Sequence, residues 1–400
     1  MHLKHFIMYT CGLTTMLGII FVGFSYQHEQ FSFPTNTQYA SIKDVFETPT
    51  PSTNHSLTRK QKIEQLFMVG FEGTTPTDAQ NLLQQHAVGG VILLEKNILD
   101  PTQVQKLTQQ LQTTSIQQTG LPILIGIDQE GGDISRIHFD GYEKTPQSEI
   151  KDVDQAYAVA KKRGEELYNL GINMNFSPVL DVIADTQSFL STRAFQKTIP
   201  EISSWGAAMV RGYADAHIHS CPKHFPGHGG ALSDPHISES INTESRDVVW
   251  DKAQSFLGVI AEQVGCIMVG HTLYTNIDQD PGSRSSIIMN RWLRSTLQFK
   301  GVILTDDMEM TAARLTQHEA MQAQNLSRPE RADQQTLGEA SLAALQSGAD
   351  MILISGYTTT PQEREEVFTY ITKQIENGAL SEKQIDEKVS RIVEVKTKQY

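Results

Sequence analysis

The chain has 400 residues, 39% hydrophobic and 20% charged, with a formal net charge of −13 and a pI near 5.5. That supplies apolar material for one large domain or two ordinary ones, and the acidic balance argues against nucleic acid as the partner, because phosphate binding needs a basic surface. Its three cysteines, Cys11, Cys221 and Cys266, form no Cys-x-x-Cys or Cys/His ligand spacing, so no metal site is expected. Cys221 and Cys266 fall on predicted strands and are expected as buried free thiols, with a bridge between them the lesser alternative.

In chain order, His2, Lys4 and His5 precede an apolar run from Phe6 to Tyr26. Residues 1–27 therefore read as a signal peptide or a membrane anchor, and the chain as exported: either anchored with its folded part outside the cytoplasm, or secreted. Residues 28–56, rich in Ser, Thr, Pro, Gln and Asn without apolar periodicity, read as a disordered linker. From 57 to 400 helical and strand patterns alternate. Predicted helices at 59–67, 77–85, 101–115, 152–170, 200–216, 245–263, 291–297 and 337–347 each precede an apolar strand, at 68–71, 89–94, 122–128, 173–178, 221–224, 265–271, 301–306 and 350–355. Helices at 362–377 and 381–398 close the chain. This alternation predicts an α/β single domain, a (β/α)8 TIM-like barrel. A doubly wound open sheet is disfavoured, since no Gly-x-Gly-x-x-Gly turn follows an early strand.

Chemistry-bearing residues collect at predicted strand ends. Asp128, Asp181, His224, His271 and Asp306 all lie at or just past a strand C-terminus, and in a barrel those ends converge on the active face. The densest stretch is Lys223-His224-Phe225-Pro226-Gly227-His228-Gly229-Gly230, running on to Asp234-Pro235-His236. Glycines and prolines bend and restrain it. His228 is expected to satisfy polar groups of that loop. The strand ending in Asp306-Asp307 carries two carboxylates, and alternation along a strand should turn Asp307 away from Asp306. Glu130, past a strand tip and beside two glycines, invites a catalytic reading. The polar, Gln-rich excursion 314–335 reads as a rim loop.

These pieces resemble glycoside hydrolase family 3, in its single-domain β-N-acetylglucosaminidase branch. The resemblance rests on Ile127-Asp128-Gln129-Glu130-Gly131-Gly132, Asn175-Phe176-Ser177-Pro178-Val179-Leu180-Asp181, Arg193-Ala194-Phe195, the Lys223–Gly229 block with Asp234-Pro235-His236, Met268-Val269-Gly270-His271, and Thr305-Asp306-Asp307-Met308. It implies a retaining enzyme without a cofactor, acting on β-N-acetylglucosaminides such as muropeptides. In it Asp306 would be the nucleophile, and His236 the acid/base, oriented by Asp234. Asp128, Arg136, Arg193, Lys223 and His224 would bind the sugar hydroxyls, and Glu130, a position the family does not use as its acid, would be a supporting group. The family's two-domain glucosidase layout is disfavoured. Asp133 departs from the branch, which usually has arginine there. The rival readings are an N-acetylglucosaminide phosphorylase, because a neutral histidine does not repel phosphate, and a catalytically silent cell-wall-binding module. Oligomeric state is not legible.

Overall fold

The computed structural model describes residues 57–183, 188–228, 240–314 and 335–398. The predicted leader and linker, Asp234, His236 and nearly all of the 314–335 excursion lie outside the described residues. No described helix is long and apolar enough to cross a membrane.

Among the described residues there are ten strands: β1 Phe67–Val69, β2 Gly90–Leu93, β3 Leu124–Ile127, β4 Met174–Asn175, β5 His219–Ser220, β6 Ile241–Asn242, β7 Cys266–Val269, β8 Leu273–Tyr274, β9 Val302–Asp307 and β10 Met351–Ile354. Eight form one parallel sheet in the order β5-β4-β3-β2-β1-β10-β9-β7, while β6 and β8 pair as a separate ribbon. Sheet neighbours are thus consecutive sheet strands in sequence, except that the first and last, β1 and β10, also pair. The two free edges, β5 and β7, meet just past β5, where Met268 N donates to Pro222 O (2.9 Å) and Phe225 N to Met268 O (2.8 Å). The result is the predicted (β/α)8 barrel.

The local reasons are simple. Strands such as Val-Ile-Leu and Cys-Ile-Met-Val are apolar throughout because a parallel sheet is covered on both faces. Helices start on Thr, Ser or Asp caps, often with proline in the first turn, as at Thr75-Pro76, Asp100-Pro101 and Thr360-Pro361. They bury stripes at helical spacing, such as Val104, Leu107 and Leu111, or Ile385, Val389 and Ile392.

Four expectations need correction. The helix expected over 245–263 is three pieces, Arg246–Ala253, a 3-10 turn Gln254–Phe256, and Leu257–Ala261. The break lets Ser255 Oγ donate to Leu180 O and Gly258 N to Ser203 Oγ, both at 2.8 Å. The short helix expected at 291–297 is a ten-residue π-helix, Ile287–Thr296, in which Ser295 and Thr296 hydroxyls donate to carbonyls five residues back. Strands β4 and β5 are only two residues long because Pro178 and Pro222 cannot donate to the ladder. Pairing resumes beyond them, with Leu180 N donating to Lys223 O at 2.6 Å. Cys221 and Cys266 are buried as expected, yet they are joined by a disulfide rather than free. The reason is topological: they face each other across the β5/β7 closure, with Cα atoms 4.6 Å apart.

Candidate active site

The strand C-termini open into a cavity of about 2040 Å³. Asp128, Glu130, Arg136, Arg193, Lys223, His224 and Asp306 all line it. The structure thus brings together every predicted site residue that is described.

One side is a buried chain of alternating charge. Lys223 Nζ, at the β5/β7 seam, donates to Asp128 Oδ1 at 2.5 Å and reaches Glu130 Oε1 at 2.7 Å. Arg193 grips Glu130 with two donors, Nε at 2.9 Å and Nη2 at 2.8 Å. Burial pushes the Glu130 carboxyl up, but Arg193 and then Lys223 outweigh it and bring the group down to about 2. Burial opposes the charge on Lys223 as well, yet Asp128 and Glu130 raise its affinity for the proton overall. Glu130 is set by the turn after it. Gly131 has φ +91°, and a side chain there would run into Thr145 O and the Arg163 guanidinium. Fully buried Arg163 holds Glu130 O (2.7 Å) and Thr145 O (2.9 Å). Asn175 fixes the neighbouring backbone by pairing with both the N–H (3.0 Å) and the carbonyl (2.9 Å) of Gln129. Arg136 is more open. Its Nη2 lies 3.9 Å from Asp128 Oδ2, and its Nε has no hydrogen-bond partner among the described residues.

The other side hangs on Asp181. One oxygen accepts from His224 N (3.0 Å) and pairs with His224 Nδ1 (2.9 Å); the other accepts from His228 N (2.7 Å) and pairs with His228 Nδ1 (3.0 Å). Burial opposes the Asp181 charge, but His224 and His228 hold its carboxyl well below the usual range. Burial pushes His224 below its ordinary value despite the Asp181 carboxylate. A neutral His224 donates from Nδ1 to Asp181, which leaves Nε2 as an acceptor, 3.8 Å from Asp306 Oδ2. The buried Asp181, His224 and His228 have the composition of a metal site. Here the two carboxylate oxygens are already occupied by two backbone and two ring donors, so the trio acts as a hydrogen-bonded hub.

Asp306, at the tip of β9, is nearly buried, at 8% exposure, and its Oδ1 accepts from Asp307 N at 2.8 Å. Asp307 turns away, as alternation predicts. Its Oδ2 accepts from Ser355 Oγ at 2.5 Å and its Oδ1 from Ser355 N at 3.2 Å. Burial, and then Glu309, raise the Asp307 carboxyl to about 7. His271 steadies the same strand end from behind, with Nε2 2.9 Å from Asp307 O and Nδ1 2.6 Å from Ser283 Oγ. Burial lowers His271 to about 4, so it is neutral, donating from Nε2 and accepting from Ser283.

Glu130 is a supporting group, as expected, and the shared partner of Arg193 and Lys223. Asp181, whose place just past a strand end indicates no role by itself, anchors both loop histidines. Nothing in the sequence singles out Glu309. The one signal for Asp181 is its position three residues past Pro178, beyond the strand that neighbours the Lys223 block.

Comparisons with known proteins show the family and the fold. The family model described as the glycosyl hydrolase family 3 N terminal domain matches residues 58–395. The chain is 31% identical over 315 residues to a β-hexosaminidase of Nitrosomonas eutropha, covering 76% of this chain and 83% of that protein. It is 31% identical over 300 residues to a β-hexosaminidase of Idiomarina loihiensis, covering 72% of this chain and 83% of the relative. Among solved structures, the family 3 β-N-acetylglucosaminidase of Paenibacillus sp. FPU-7 superposes with a TM-score of 0.75 at 32% identity. That match covers 85% of this chain and 62% of the Paenibacillus chain, so this chain spans less than two thirds of it.

Proposed function

The chain belongs to glycosyl hydrolase family 3, and from that premise we propose that it is a retaining β-N-acetylglucosaminidase. The observation that carries the proposal is the convergence at the barrel mouth. Asp306 sits on a rigid strand tip beside His224, facing a cavity whose wall offers Asp128, Lys223 and Arg136. The relatives named β-hexosaminidase support the same glycone.

Retaining hydrolysis needs a carboxylate on one face of the sugar and a proton donor at the leaving oxygen. Asp306 attacks the anomeric carbon as the aglycone oxygen departs and takes a proton from His236. Water then attacks the anomeric carbon of the glycosyl-Asp306 ester and gives one of its own protons to His236 as the Asp306 carboxylate departs, which regenerates both groups. The roles of His236 and of Asp234, which would orient its imidazole, rest on the sequence block. Asp128 and the His224 Nε2 lone pair accept from sugar hydroxyls, while Lys223 and Arg136 donate to them. Arg193 holds Glu130 so that Lys223 stays fixed between two carboxylates. We propose peptidoglycan-derived oligosaccharides as the natural substrates and an exported protein, whether anchored or secreted. The Cys221–Cys266 disulfide supports export, because disulfides persist in oxidising compartments.

The test is release of chromophore from an aryl β-N-acetylglucosaminide beside an aryl β-glucoside control. Turnover of the N-acetyl sugar alone is expected, with free N-acetylglucosamine as product in phosphate buffer. Turnover of neither substrate by folded protein overturns the proposal, and sugar 1-phosphate as the product replaces hydrolysis with phosphorolysis.

A further inference from the structure

The cavity is larger than one sugar needs. Its volume of about 2040 Å³ is roughly twice the upper end of the ~300–1,000 Å³ usual for a small-ligand pocket. Beyond the charged cluster it continues past the tip of β10, where Met310, Leu337 and Tyr357 line it. Tyr357 is 80% exposed. A lone exposed aromatic is ordinary on a protein surface, but the mounting of this one is not.

Two carboxylates from the stretch after Asp306, Asp307 partly buried and Glu309 buried, hold the backbone on both sides of Tyr357. Asp307 takes the Ser355 hydroxyl (2.5 Å) and amide (3.2 Å). Glu309, only 5% exposed, accepts from Gly356 N (2.9 Å), Thr358 N (2.7 Å) and Thr358 Oγ1 (3.1 Å), and also from the Thr359 hydroxyl. Tyr357 N itself donates to Ser355 Oγ at 3.2 Å. Burying carboxylates is costly unless donors surround them. Here the donors come from the loop that carries Tyr357. A mobile loop would lose ordering entropy on binding, whereas this one is already fixed.

Resting on the glycosidase reading above, we propose that Tyr357 is the platform of a leaving-group subsite, stacking its ring against the neutral pyranose that follows the scissile bond. An aromatic face is apolar enough to cover the C–H face of a pyranose, and its hydroxyl stays wet. The subsite is tied through Asp307 and Glu309 to the strand that bears Asp306, which sets its distance from the reacting bond. Tyr357 therefore determines preference for oligosaccharides over simple glycosides, without taking part in bond cleavage.

The experiment compares N,N′-diacetylchitobiose with β-N-acetylglucosaminyl azide, whose leaving group has no ring to stack. The ratio of kcat/KM on the disaccharide to that on the azide is expected to fall about five- to tenfold in Tyr357→Ala, the size of one aromatic stacking contact. Tyr357→Trp should restore the ratio. An unchanged ratio in Tyr357→Ala, with wild-type protein turning over both substrates, overturns the subsite alone. Failure of the wild-type protein on both substrates overturns the glycosidase reading and the subsite with it.

Discussion

Replacing Glu130 with glutamine keeps its shape and removes its charge. In the native barrel that carboxylate is fully buried between Arg193 and Lys223. Moving a carboxyl from its ordinary 4.5 to about 2 corresponds to about 3 kcal/mol of stability at neutral pH. Removing one partner from a buried ion pair costs about 3–5 kcal/mol by analogy, because the cations left behind stay desolvated. Lys223 keeps Asp128, whereas Arg193 loses the carboxylate that accepts two of its donors. Glu130→Gln is therefore expected to lower stability by about 3 kcal/mol at pH 7 in urea unfolding. It should also raise KM more than it lowers kcat, because Lys223 is no longer held between two carboxylates. The sign with pH is fixed. A depressed carboxyl contributes fully above its unfolded value of 4.5, and its contribution is lost as pH falls towards about 2. The wild-type and Glu130→Gln stabilities should thus converge in acid. A variant with wild-type stability at pH 7, or a gap that persists unchanged at pH 2, would refute the reasoning.

Other expectations follow from groups away from the cavity. Lys396 is buried and donates to Gln65 Oε1 at 2.6 Å, and burial lowers it to about 7. The unfolded chain protonates this lysine below about 10.4 and the native state only near 7, so Lys396→Met should stabilise the barrel below pH 7 and do nothing above pH 10.5, as read by thermal melts. Burial likewise lowers His219 and His271 to about 4. Unfolded imidazoles gain protons from about 6.5 downward, so the urea midpoint should fall between pH 6.5 and 4, less steeply in His219→Asn. The Cys221–Cys266 bridge closes 45 residues, and a Cys221→Ala/Cys266→Ala double variant should lose roughly 2–4 kcal/mol. An unaltered melting temperature, matched by wild-type protein in reductant, would contradict a closed seam.

Much of this architecture is legible in the chain because period and position suffice for it. Apolar runs of four residues between capped helical stripes give the barrel, and the barrel carries Asp128, His224 and Asp306 to one face without further information. The pairing of side chains is another matter. The partners of Glu130 are not legible along the chain, because the Gly131 turn and buried Arg163 fold it back towards Arg193, which lies 63 residues later. Asp181 gains its role only when the next strand brings His224 and His228 alongside it. The Cys221–Cys266 bridge depends on which strands close the barrel, a fact of topology that spacing along the chain does not carry. The helix break at Gln254–Phe256 likewise answers to Ser203 and Leu180, both on other segments. Where the sequence reading failed, the deciding contact was between segments far apart in the chain.

The central claim is a glycosyl ester on Asp306, and its most direct measurement is covalent trapping. The protein would be incubated with 5-fluoro-N-acetylglucosaminyl fluoride, whose fluorine slows ester hydrolysis, and then digested and mapped by mass spectrometry. The account expects one sugar per chain, carried on Asp306, and no label in Asp306→Asn. Label on another carboxylate, or hydrolysis of aryl β-N-acetylglucosaminide with inversion and no label, would contradict it.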